Sequence, residues 1–184
     1  MDTTAVLPSR SIGDRLTDPS EVSPLGLADS SSVDVVSVLA EVHLRVARTF
    51  ATYDAAEGSH ARQYRALGAI ATALATHVAV EDELLFPAIR AQTGRHDTEL
   101  ERQRQQDHLL DLLLVELGGM VPSDRYFDAK VQVLMQVFGQ HVHDAEALLA
   151  PELRRLLDAG EREQLGRRML ERIHQLEGRP RPGW

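Results

Sequence analysis

There is no cysteine in the 184 residues. That excludes disulfides, thiolate zinc sites, iron–sulfur clusters, cysteine nucleophiles and thioether-linked haem. Aromatic residues are scarce, at 4 %, so the core has to be aliphatic. Positive charge is outnumbered: 20 Lys and Arg stand against 28 Asp and Glu, a net charge of −8. An acidic chain without a basic block is a poor partner for nucleic acid or an anionic membrane surface. No apolar run approaches the roughly 18 residues needed to span a bilayer. The opening MDTTAVLPSRSIGDRLTDP is broken by Asp2, Arg10, Asp14 and Arg15 and has no signal-peptide h-region. The expectation is a soluble, cytoplasmic protein.

What is present is helical. Pro8, Pro19, Pro24, Pro180 and Pro182 crowd the two ends, and only Pro87, Pro122 and Pro151 fall between. Residues 1–30 read as a flexible arm and 178–184 as a short tail. Residues 31–177 then form one domain. Ser30, Ser31 and Ser32 offer an N-cap, with Asp34 in the first turn. Val36, Leu39, His43, Val46 and Phe50 step by three and four along a helix A over 33–56. Gly58 and Ser59 turn the chain into helix B, 60–92, whose stripe is Leu67, Ile70, Leu74, His77, Glu81 and Leu84. Pro87 is expected to kink its end, and Gly94 to stop it. Helix C covers 96–117. Helix D covers 125–158, with Val131, Leu134, Phe138, His141, Ala145 and Leu148 on its stripe and a bend near Pro151. A fifth, shorter helix follows over 161–176. Nothing alternates with period two. The fold class is all-α: an up-down-up-down four-helix bundle with a short C-terminal fifth helix.

The inner stripe of each of the four long helices carries one histidine: His43, His77, His108 and His141. Leucines normally fill such places, because a buried polar group without a partner costs about 1–3 kcal/mol. Counting heights at about 1.5 Å per residue puts His77 and His108 level within about 2 Å across the B–C turn. Two carboxylates join them. Glu81 is four residues after His77, on the same face; Glu146 is five after His141, at the edge of its stripe. Mixed nitrogen and oxygen donors suit iron or manganese, and two carboxylates can bridge two ions, whereas one zinc would need only four ligands.

The motifs then become specific. HVAVEDELLFPAI at 77–89 has a His-x3-Glu followed by an acidic residue and Phe-Pro, and HVHDAEALLAPEL at 141–153 repeats the ten-residue spacing from histidine to proline. LAEVHLRV holds His43 and QQDHLLDLL holds His108. Over residues 33–155 the sequence resembles the hemerythrin-like (HHE cation-binding) family. That resemblance implies a four-helix bundle with a non-haem di-iron site, oxo- or hydroxo- and carboxylate-bridged, ligated by His43, His77, Glu81, His108, His141 and Glu146. It implies dioxygen, peroxide or NO as the small molecule bound, in a carrier, scavenger, sensor or oxidase, with a small-molecule substrate open.

Two departures from the family pattern bear on the chemistry. The second copy has Ala145 where a glutamate usually stands, with Glu146 one residue on. Arg104 stands where the oxygen carriers have a further histidine, which leaves one iron short of a ligand; Glu101, seven residues before His108, is the substitute to weigh. An arginine there could hold an anionic ligand in the pocket and inclines the reading toward an oxidase, oxygenase or peroxide-consuming enzyme. His60, His96, His143 and His174 read as surface residues, and Asp82 and Glu83 as exposed or as partners orienting His77.

Overall fold

The computed structural model describes residues 33–93 and 98–178, and every regular element among them is helical. The arm over 1–30, Gly94, His96 and all but Gly178 of the tail lie outside the described residues. α1 (Val35–Asp54) opens at Asp34, whose Oδ1 accepts the Val36 N–H at 2.9 Å. Asp34 is thus the cap itself rather than a first-turn residue. Its other oxygen accepts from Arg162 Nε at 2.7 Å, which ties the start of α1 to the last helix. Gly58 turns the chain at φ +76°, a left-handed conformation that favours glycine. α2 (His60–Val80) then runs without a break through a π-helical turn, Glu81–Leu85, into α3 (Phe86–Thr93). α4 (Thr98–Gly118) follows. α5 (Phe127–Asp144) continues through a second π turn, Ala145–Leu149, into α6 (Ala150–Leu156), and α7 (Ala159–Glu177) closes the chain. α7 is opened by a reciprocal cap between Asp158 and Glu161.

The irregularity expected at the two prolines takes the form of these π turns. The N–H of Phe86 reaches back five residues to the Glu81 carbonyl, and that of Ala150 to Ala145. Pro87 and Pro151, which have no N–H to give, come immediately after. Each π turn holds one extra residue, so the buried stripe moves on by one. Leu85 is fully buried where Leu84 was expected, and Leu149 is buried while Leu148 is exposed.

α1 packs on α2, α4 on α5, and α7 on both α1 and α2. Gly166 lets α7 come close: a Cβ there would lie 2.1 Å from the Val33 carbonyl oxygen. The apolar core falls into two blocks. One holds Val38, Leu39, Leu85, Ile89, Leu100, Leu153 and Met169; the other holds Val46, Phe50, Ile70, Leu74, Leu110, Leu134 and Phe138. α1 and α4 run from the first block to the second, α2 and α5 from the second to the first, which is the up-down-up-down order. Between the blocks, on all four helices, lies a polar layer.

Candidate metal centre

That layer contains His43 from α1, His77 from α2, Glu81 from the first π turn, Asp107 from α4 and His141 from α5. All five are buried, His77, Glu81 and His141 completely. One donor atom from each of His43, His77, Glu81 and His141 lies within 4.8 Å of those of the other three. Glu81 sits at the middle. Its Oε1 is 3.7 Å from His43 Nε2, and its Oε2 is 3.8 Å from His77 Nε2 and 3.7 Å from His141 Nε2. Asp107 Oδ1 closes one side, 3.6 Å from His77 Nε2 and 3.4 Å from His141 Nδ1. The imidazole rings stand edge to face, with centroids 4.8–5.4 Å apart. Phe138, at the near end of the second apolar block, lies against all three at 5.8–6.1 Å.

Both ring nitrogens of all three histidines and both oxygens of Glu81 and Asp107 are buried without a hydrogen-bond partner. Native proteins leave only a few such atoms unpaired per 100 residues, and here ten lie in one layer. Here they face one another at separations too long for hydrogen bonds and suited to a cation between them. Burial holds His43 and His77 down to about 4, so both are neutral lone-pair donors near pH 7, the form a metal requires. Burial pushes Glu81 upward, but His77, His141 and His43 together outweigh it and hold the carboxyl well below its usual range. Asp107 has no such surplus of positive neighbours. Burial, and then the Glu81 charge, push it up to about 9.

The chain matches the Hemerythrin HHE cation binding domain over residues 34–153. It belongs to that family. A crystal structure of an HHE cation-binding domain-containing protein from Mycobacterium kansasii has the same fold, with a TM-score of 0.70 at 20 % identity over 79 % of this chain and 88 % of that one. No curated protein matches the chain.

This HHE domain brings together four of the six residues expected as ligands and leaves two outside. His108 is exposed. The buried stripe of α4 is Leu100, Gln103, Asp107, Leu110, Leu114 and Leu117, and His108 lies one residue, about 100°, off it. The height count was sound, but it fixes a level and says nothing about facing. Asp107, which sequence reasoning missed, has the right level and the right face; an acid on a three-and-four leucine stripe was the available signal. Glu146 is also exposed. The second π turn starts at Ala145, so ordinary α-helical spacing still holds from His141 and points Ala145 inward, 1 % exposed. Glu101 is exposed and bonded to Arg90 at 2.7 Å, so it is no substitute ligand. Arg104 lies 3.5 Å from exposed Asp82, away from the cluster, and gives no support to an enzyme over a carrier. Glu83 is held by Arg172. His60, His143 and His174 are exposed.

Three imidazoles and two carboxylates, all buried and otherwise unpaired, fit a metal ion of the iron or manganese kind. A small opening of about 30 Å³, lined by Val36, Leu39, Ala40, His43, Ala145, Glu146 and Ala150, reaches the His43 side of the cluster.

Proposed function

We propose that this HHE domain binds non-haem iron at His43, His77, Glu81 and His141 and there binds and activates dioxygen or peroxide. The observation that carries this reading is the buried donor set whose ring nitrogens and carboxylate oxygens have no partner in the protein. Iron, when bound, supplies an open coordination position and the electrons for dioxygen or peroxide reduction. The chain supplies the rest. The three imidazoles hold the ion, and Glu81, central among them, brings negative charge to it. Phe138 and the two apolar blocks exclude water. Ala145, small where the first HHE copy has Glu81, leaves space beside His43. That opening suits a small molecule such as dioxygen, peroxide or NO. The same size also suits a non-catalytic carrier or scavenger of dioxygen or NO, the second reading.

The test is anaerobic loading with ferrous ion, followed by a stoichiometric pulse of peroxide or air. Iron-loaded protein is expected to consume peroxide faster than the same iron free in buffer, and a Glu81→Ala variant to lose the effect. A spectral change that reverses on degassing, without peroxide consumption, selects the carrier. Protein that retains no iron refutes both readings.

A further inference from the structure

We infer that the centre holds a single metal ion, bound by His43, His77, His141 and Glu81 with Asp107 as the balancing acid, in place of the two-ion bridged site that the family resemblance implies. This rests on the cluster being a metal centre. Three observations support the count.

The first is span. Ligands on opposite sides of one ion are about 4.2 Å apart, twice a metal–ligand distance of about 2.1 Å. Two ions about 3.5–4 Å apart spread their outer ligands over roughly 8 Å. One donor atom from each of His43, His77, Glu81 and His141 falls within 4.8 Å of the other three. That is one ion's shell, slightly open.

The second is supply. A second ion would draw on α4 and on the second π turn. α4 turns His108 out to solvent and Arg104 toward Asp82. The second π turn points Ala145 inward at the place that Glu81 holds in the first, and leaves Glu146 exposed. The two halves of the site are related by the same His-x3 spacing and the same π turn, and only one half carries its carboxylate.

The third is charge. Burying net charge away from water is costly. Glu81 and Asp107 are at most 3 % exposed, and Arg102 of α4 bonds to Glu99 and lies 3.4 Å from Asp144 instead. A cation between them favours the ionised form of both carboxylates; one divalent ion then balances their two charges, and a second would leave two positive charges in excess.

The experiment is anaerobic ferrous titration of the metal-free protein, with bound iron counted per chain after desalting, and electron paramagnetic resonance after oxidation. The expected result is about one iron per chain and a high-spin ferric signal. About two irons per chain, with the coupled, silent ferric pair of a bridged site, overturns the single-ion inference and leaves the metal reading standing. No bound iron overturns the metal reading itself. His108→Ala and Glu146→Ala are each expected to keep one iron; loss of iron from either shows that they serve a site this geometry does not contain. Asp107→Asn is expected to weaken ferrous affinity about 10–100-fold; unchanged affinity removes Asp107 from the centre.

Discussion

Adding ferrous ion to the metal-free protein should raise its melting temperature by a margin the cluster itself sets. Ten polar atoms, from His43, His77, His141, Glu81 and Asp107, are buried without partners. Each unsatisfied group costs about 1–3 kcal/mol. An ion that takes one donor from each of His43, His77, His141 and Glu81 therefore relieves roughly 4 kcal/mol at the low end of that range. Mass action gives a similar figure: ligand at 1,000 times its dissociation constant stabilises the native state by about 4 kcal/mol. For a domain of this length that corresponds to a shift of roughly 8–16 °C. The assay is thermal unfolding followed by circular dichroism, anaerobically, with and without saturating ferrous ion, on the parent and on Glu81→Gln. The parent is expected to shift by that margin and Glu81→Gln by far less, because the amide keeps the shape and removes the charge. Equal melting temperatures with and without iron in the parent would refute the reasoning. So would equal shifts in both proteins, since the ion would then bind elsewhere.

Phe138→Ala should destabilise by about 3–5 kcal/mol and quicken loss of bound iron, since the ring lies against all three imidazoles; equilibrium unfolding and an iron-release time course check it. Gly166→Ala should cost about 1–3 kcal/mol by overpacking, because its Cβ would press on the Val33 carbonyl, and a midpoint shift in urea reads it. Arg104→Ala should leave iron content and peroxide consumption unchanged, since its ion pair with Asp82 lies on the exposed side of the helices. Burial pulls the Asp34 carboxyl upward, but Arg162 and the Val36 N–H outweigh it and hold it below its ordinary 3.8. Its contribution is then fully present above that value and lost as pH falls through the lower folded one. Asp34→Asn should cost roughly 0.5–1 kcal/mol near neutral pH, a modest figure because the group is partly solvated, and the gap to the parent should close in acid.

The sequence by itself determined the helices and their order. Three-and-four spacing of Leu, Val and Ile, stops at Gly58 and near residues 118–125, and the absence of period-two runs left an antiparallel bundle as the solution that buries every stripe. It also determined half of the centre, because His77 and Glu81 share a helix and α-helical spacing alone puts them on one face. The level at which α4 faces His77 follows from rise per residue. What only the tertiary structure decided was facing. One residue on a helix is about 100° of rotation, and that is the whole difference between Asp107 and His108, between Ala145 and Glu146, and between the buried and exposed leucines after each π turn. The start of α1 was settled the same way, by Arg162, which lies 128 residues away in sequence and fixes Asp34 as the cap. Rotation about a helix axis is set by what the neighbouring helices bury against it. The local pattern of residues therefore told how high a side chain stands in the bundle, and the packing of four helices told whether it looks inward.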